Sequence, residues 1–365
     1  MEIIDNILQN VKSEKISQYL PANTDKYAFF DIETTGLSKN TSKIYLLGFV
    51  YYDDNIFKSR QFLAETNNDE YTLLKHASEF ASQFNTLITF NGKAFDIPFF
   101  ETRCKHNNIK CSISDNLDIY KLIQPLRPIF CLDSMKQKSI ESFLHIDRVD
   151  EMNGGELIEV FKHFAETHSL TDRQLLLQHN FDDICGMADI LPILAYPSIF
   201  TGSTKDYAYE LQSFKDYKGE TAYELTIDFT FSTPVPVEHT MHNDFIFLHV
   251  KDSSGSIRVS VFNGTLKHFF DNYKDYYYLP DEDKAIHKSV GVYVDANSKV
   301  KCKKDNCYVK KTGFFAPLYG NEISSPIFKD EYKSKDTYFE IPENGLDTDI
   351  IDAYIRILFK KLSGK

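Results

Sequence analysis

The chain has 365 residues, enough for two domains of ordinary size. Hydrophobic residues make up 42% and charged residues 26%, the balance of a soluble globular protein. A formal net charge of −12 argues against a general duplex-binding protein, whose partner-facing domain is usually basic; it leaves a nuclease open, because clustered carboxylates add negative charge that bound cations neutralise.

In chain order, residues 1–25 read as a short helix, with Ile3, Ile4, Ile7, Leu8 and Val11 on its apolar side, and a linker containing Pro21. Residues 27–32 form a compact apolar run, as a buried strand would. Residues 44–52 and 56–63 are two more strands, joined by the turn signal Asp53-Asp54-Asn55. Tyr71, Leu74, Ala77, Ala81 and Phe84 carry helical spacing. Residues 87–90 give a fourth strand, a helix starts just after Asn91-Gly92, and residues 117–119 give a fifth strand. Helical patterns dominate from about residue 132 to 194. This order predicts an α/β fold with a mixed five-stranded sheet flanked by helices. Beyond Pro197 the texture becomes β-rich, with strands at 223–231, 244–251 and 256–262 and the hairpin turn Asp252-Ser253-Ser254-Gly255. Further strands are expected around 290–294 and 308–311, and an amphipathic helix over 349–362. The organisation expected is therefore 1–25 (helix and linker), 26–198 (α/β domain) and 206–365 (β-rich accessory domain), with the boundary around Gly202-Ser203.

No run of about 18 apolar residues predicts a membrane-spanning helix, and the N-terminus lacks an apolar signal core. Six cysteines at irregular spacings read as reduced thiols of a cytoplasmic protein. Cys302 and Cys307 are close, but no second Cys/His pair completes a zinc site. Heavy use of Lys, Asn and Ile suggests an AT-rich bacterial genome.

Three segments carry the chemistry: FFDIETTGL at 29–37, FNGKAFDIP at 90–98 and HNFDD at 179–183. In a strand, residues two apart share a face, so Asp31 and Glu33 project together before Thr34-Thr35-Gly36 turns the chain. Two adjacent carboxylates repel unless a proton or cation separates them; the alternative is that Glu33 has left the strand and is solvated. Asp96 follows the fourth strand, with Asn91 as a candidate N-cap and Pro98 tolerated in a first helical turn. Alone, Asp96 would be a helix-dipole carboxylate. In the third segment, Leu177, Phe181, Ile184, Ala188 and Leu191 form one apolar stripe at helical spacing. Asp182 and Asp189 fall on a polar arc, whereas Asp183 falls with Leu176, Met187 and Ile190. A carboxylate in apolar company needs a partner, and a metal ion is one solution. His179 lies four residues before Asp183, on the same side of the helix; the plain alternative is a satisfied semi-buried histidine. Converging carboxylates would suit Mg²⁺ or Mn²⁺, and two such ions can activate water and stabilise the leaving oxygen of a phosphodiester.

These segments resemble the three exonuclease motifs of the DEDD exonuclease superfamily, which has the RNase H-like fold, and within it the YprB-type RNase H-like domain. The resemblance covers roughly residues 26–195. It implies 3′-to-5′ hydrolysis of DNA or RNA with two divalent ions, Mg²⁺ or Mn²⁺, on a strand with a free 3′ end. It further implies that Asp31 bridges both ions, that Glu33 and Asp183 hold the ion of the attacking water, that Asp96 positions the other, and that His179 orients or deprotonates the water. The spacing departs from the two common subtypes, which place His five or Tyr four residues before the last Asp; here His stands at the four-residue position. Residues 148–156 match the branch only loosely. Thr34, Thr35, Asn91 and Lys93 are candidate substrate contacts, the latter two equally well a cap and a solvated lysine. Asp118 is expected to be structural. In the second half, Lys299, Lys301, Lys303, Lys304, Lys310 and Lys311 surround Tyr308, Phe314 and Phe315, either a track for a single strand or a solvated face. His239 and His242 form only a lone H-x-x-H. Two other functions fit the same residues: an endonuclease on the same fold, and a non-catalytic nucleic-acid-binding protein.

Overall fold

The computed structural model describes residues 1–8, 16–21, 24–147, 154–202, 204–320, 322–323 and 325–364. Val11, Ser203 and the stretch 148–153 lie outside the described residues. The chain folds as two compact units: Met1–Ile199 with Val235–Val237, and Phe200–Pro234 with Glu238–Lys365.

The first unit is built on a mixed sheet of six strands: β1 (Glu2–Leu8), β2 (Tyr27–Thr34), β3 (Ile44–Asp53), β4 (Ile56–Leu63), β5 (Thr86–Thr89) and β6 (Asp115–Asp118). Their order is β1-β4-β3-β2-β5-β6. The β2–β5 and β5–β6 pairs are parallel and the rest antiparallel. The sheet thus has one strand more than the five expected, because residues 2–8 are not helical. Ile3, Ile4, Ile7 and Leu8 fit a helical face, yet β-branched residues also favour a strand. The open edge of β4 decides: Ile4 pairs with Gln61 and Asp5 with Arg60, and Asp5 takes two hydrogen bonds from the Arg60 guanidinium at 2.7 and 2.8 Å.

Helices α1 (Glu70–Ala81), α2 (Asp96–His106), α3 (Gly154–Thr167) and α4 (Leu170–Asp189) cover the sheet. On one face Phe49 of β3 packs against Phe80 of α1, with ring centroids 5.2 Å apart. On the other, α4 lies across β2, β3 and β4. Gly48 of β3 permits that approach, since a Cβ there would fall 2.2 Å from Asn180 Oδ1 and 3.0 Å from Ile184 Cδ1 of α4. Ser169 caps α4 by accepting from the Asp172 amide. The helical run Leu170–Thr201 is long and apolar enough to cross a membrane by length and composition. It is, however, mostly buried inside the protein, as a core helix would be.

The second unit is β-rich. β7 (Lys205–Lys215), β8 (Thr221–Thr230), β9 (His239–His242), β10 (Ile246–Lys251), β11 (Ser254–Phe269), β12 (Tyr276–Leu279), β13 (Lys284–His287), β14 (Val300–Lys301), β15 (Tyr308–Leu318) and β16 (Thr337–Ile341) precede the closing helix α5 (Thr348–Leu362). The long β11 pairs with β8 and β10 along its first half and with β15 along its second. β12, β13 and β14 form a separate small sheet. Residues 290–294, expected as a strand, instead finish a short helix (Lys288–Gly291) and a turn. That helix starts on His287, whose ring accepts from the Ser289 amide, a local cap that a reading of the apolar pattern overlooks.

Candidate active site

The parallel pair β2 and β5 brings two strand ends to one edge of the sheet, the usual place for a ligand in an open α/β fold. Asp31 and Glu33 stand at the end of β2, Glu33 still within the strand and buried. Asp96 arrives from the segment after β5. Asn91 does not cap α2: its φ of 63° is left-handed, and Phe95 occupies the N-cap position. Asp96 is therefore the first residue of α2, buried, and its Oδ1 accepts from the Ile32 amide at 3.3 Å. That bond fastens the third carboxylate to β2 between the first two. α4 supplies His179, Asn180 and Asp183.

His179 is buried and faces two of the carboxylates. Its Nε2 lies 3.5 Å from Glu33 Oε1 and 3.3 Å from Asp183 Oδ2. One ligand atom from each of Glu33, His179 and Asp183 lies within 4.8 Å of the others, a set that could hold a metal ion. Asp96 is linked to this group through the Ile32 amide, between Asp31 and Glu33, and Asp31 through Asn180, the neighbour of His179. Burial first, then the charges of Asp96, Asp183 and Glu33, push the Asp31 carboxyl well above its usual range, against the pull of a hydrogen bond from Asn180. Burial likewise pushes Asp96 up to about 7. Amide donors, its own and that of Ile32, oppose this rise, and the charges of Asp118 and Asp183 add to it. A pocket of mutually repelling carboxylates favours protons or cations, and its all-oxygen acids with one imidazole suit a hard divalent ion.

Two residues that pattern reading missed set the geometry of Asp31. Asp31, Gly48 and Gln61 lie side by side across β2, β3 and β4. Asn180 lies over Gly48 and donates from Nδ2 to Asp31 Oδ2 at 3.0 Å. Its own Oδ1 accepts from Gln61 Nε2 at 2.9 Å, and Gln61 also donates to the Leu177 carbonyl at 2.9 Å. Gln61 and Asn180 are both fully buried. Gln61 has only donors to offer at Nε2, so it fixes which end of the Asn180 amide faces Asp31. The available signal was position: Gln61 alternates with the buried Phe57 and Leu63 on β4, and Asn180 stands between Leu177 and Ile184 at helical spacing. From the far side, Gln137 donates to the Asp183 carbonyl at 3.0 Å.

The other expected residues take these places. Thr34 donates its hydroxyl to the Gly36 carbonyl, and the Thr35 hydroxyl accepts from the Lys43 amide, so both shape the turn after β2. The side chains of Asn91 and Lys93 are exposed, and their amides are clamped by Asp118 at 2.9 and 3.1 Å. Asp118 also accepts from the Lys121 amide, which makes it the brace of this loop. Asp189 is exposed as expected, whereas Asp182 is half-buried and accepts from Gln178. In the second unit, half of the six lysines are engaged within the protein: Lys310 with Asp283, Lys311 with Glu340, and Lys299 with the carbonyls of Gly291 and Val294.

The RNase_H_2 family model, of the RNase H superfamily, matches residues 28–195. An uncharacterized protein, YprB of Bacillus subtilis (strain 168), is 36% identical over 83 residues, 22% of this chain; the match spans 20% of that relative's length. Among solved structures, the family B DNA polymerase of the hyperthermophilic archaeon Pyrobaculum calidifontis overlaps 48% of this chain and 26% of its own, at 16% identity and a TM-score of 0.38. Exonuclease I of E. coli in complex with a dT13 oligonucleotide overlaps 56% of this chain and 54% of its own, at 9% identity and a TM-score of 0.32. Both overlaps are distant, and the chemistry of the site rests on its own geometry.

Proposed function

We propose that residues 28–195, which the RNase_H_2 family model matches, form an RNase H-like domain, and that the protein is a metal-dependent 3′-to-5′ exonuclease acting on phosphodiester bonds of DNA or RNA. One observation carries the reading. Glu33, His179 and Asp183 offer ligand atoms within 4.8 Å of one another, Asp96 is bonded to the Ile32 amide between Asp31 and Glu33, and Asp31 is bonded to Asn180, the neighbour of His179.

In this reading Asp31, Glu33, Asp96 and Asp183 hold a pair of Mg²⁺ or Mn²⁺ ions. Such ions polarise a phosphodiester oxygen and lower the barrier to attack by water. Asn180, oriented by Gln61, holds Asp31 in one rotamer. Asp96 is held in place by the Ile32 amide. His179 Nε2 takes the proton of the attacking water, and Glu33 and Asp183 stabilise the imidazolium that results. The new P–O bond forms from that water as the bond to the 3′ oxygen of the preceding nucleotide breaks, and that oxygen takes a proton from solvent to leave as a hydroxyl. The exposed Asn91 and Lys93, on a loop stiffened by Asp118, meet the strand beside Asp96.

The test uses end-labelled single-stranded DNA and RNA with Mg²⁺ or Mn²⁺, in parallel with Asp31→Ala and Asp183→Ala. A ladder shortening from the 3′ end, absent in both variants, is expected. Internal fragments would favour the endonuclease reading, and binding without metal-dependent cleavage would favour the non-catalytic one.

A further inference from the structure

Tyr45 stands next to the acidic pocket and takes no part in the interactions described above. β2 and β3 pair Glu33 with Leu46 and Thr34 with Ile44, so Tyr45 is the extra residue of a bulge. In a regular strand it would share the face of Phe49, which packs on α1. The bulge turns it toward the opposite face, the one α4 covers. There its ring lies flat on Phe161 of α3, with centroids 4.1 Å apart and planes 9° apart. The side chain is 1% exposed, and among the described residues its hydroxyl has no hydrogen-bond partner. Burial, then the charges of Glu33 and Asp31, keep the phenol protonated. It is therefore a hydrogen-bond donor next in sequence to Leu46, the strand partner of Glu33, and no described residue accepts from it.

Buried tyrosine hydroxyls find a partner in nearly all proteins, and an exception calls for a physical reason. We propose that Tyr45 is a ligand-binding residue of the acidic pocket, its hydroxyl donating to an oxygen of what the pocket binds. That oxygen belongs either to water in the hydration shell of a divalent cation or to the phosphate of a nucleotide. The inference rests on the nuclease reading. It adds a neutral donor whose proton, unlike that of Asn180 already given to Asp31, is open to a ligand, and such a donor tells a hydrated or phosphorylated ligand from a bare cation. The stacked Phe161 restricts the ring, so little rotamer freedom is lost when the bond forms.

Tyr45→Phe removes one oxygen and keeps the ring on Phe161. Without ligand, the variant should melt at or above the wild-type temperature, because an unsatisfied buried hydroxyl has been removed. Calorimetric titrations then compare wild type and variant in two arms, Mn²⁺ alone and thymidine 5′-monophosphate at saturating Mn²⁺. One neutral hydrogen bond corresponds to an affinity loss of about 3- to 10-fold. A loss in the first arm assigns the contact to water, and a loss confined to the second assigns it to phosphate. Equal affinities in both arms would overturn the proposal and leave Tyr45 a plain packing residue. If wild type itself takes up no Mn²⁺, the nuclease reading falls and this inference with it, an outcome visible in the wild-type titration alone.

Discussion

Replacing Gly48 with alanine would add one methyl group where α4 crosses β3. The backbone there tolerates a side chain, so the unfolded-state entropy alone would favour alanine by about 0.4–1 kcal/mol. The space does not allow it. The new Cβ would lie 2.2 Å from Asn180 Oδ1, 2.9 Å from its Cγ and 3.0 Å from Ile184 Cδ1. Either α4 lifts from the sheet or the Asn180 amide swings aside. Lifting the helix strains a packed core, typically by about 1–3 kcal/mol. Swinging the amide breaks its bonds to Gln61 and Asp31 and strands buried polar groups, at about 1–3 kcal/mol each. The cheaper route sets the cost, and after the entropy gain is subtracted the net destabilisation expected is about 1–2 kcal/mol. Urea denaturation at matched slope measures it, with Gly313→Ala as control: a Cβ at Gly313 meets nothing within 4 Å, so only the entropy gain of about 0.4–1 kcal/mol is expected there. Asp31 would also lose its orienting donor, so Mn²⁺ affinity should fall with stability. A Gly48→Ala protein within about 0.5 kcal/mol of wild type, with unchanged Mn²⁺ affinity, would refute the packing argument and the chain from Gln61 through Asn180 to Asp31.

Four further outcomes are expected. Asp31 and Asp96 hold their protons more tightly in the folded state than at their ordinary value of 3.8, Asp96 titrating at about 7. The contribution of each is therefore full below that ordinary value; that of Asp96 is lost as pH rises through about 7, and that of Asp31 as pH rises through its own raised value. Melting in EDTA should accordingly be higher at pH 5.5 than at pH 8 as far as these groups dominate, and excess Mn²⁺ should narrow or reverse the difference; equal pH profiles with and without Mn²⁺ would contradict the linkage. Asp31→Asn should raise the EDTA melting temperature while abolishing cleavage, since it removes one of the repelling charges. Glu70 and Arg103 form a buried ion pair at 2.6 Å, and Glu70 also accepts from the Ile44 amide at 3.0 Å; Arg103→Met should cost about 3–5 kcal/mol, read by denaturation, with part recovered in the double variant Glu70→Gln/Arg103→Met. Asp118→Ala frees the amides of Asn91, Lys93 and Lys121; it should lower stability by about 1–3 kcal/mol and raise KM for an oligonucleotide more than it lowers kcat.

Much of the fold could be read from local pattern. The apolar run before Asp31, the hairpin at Asp53-Asp54-Asn55 and the stripe from Leu177 to Leu191 each form the expected element, because a strand or helix against a core needs its own periodicity. The same pattern put Asp183 in apolar company, and the buried His179 beside it follows from the four-residue helical spacing. What failed locally failed for nameable reasons. Residues 2–8 satisfy both periods, and only the free edge of β4 makes them a strand. Asn91 has the chemistry of a cap, yet Gly92 packs so close to Thr89 that the chain takes a left-handed step first and α2 begins later. Lys310 and Lys311 are exposed, as the solvated-face alternative has it, and their ion pairs with Asp283 and Glu340 join residues that local pattern does not connect.

The sequence by itself determined which acids stand at strand ends and helix faces, and so which chemistry is available to the protein. The tertiary structure alone decided their surroundings: Asn180 between Gln61 and Asp31, Tyr45 turned by a bulge onto Phe161, and Asp96 fastened to the amide of Ile32. Hydrogen-bond partners 64 to 149 residues apart leave no trace in local periodicity. Periodicity records how each segment meets the core, and those bonds depend on which segments the core brings together.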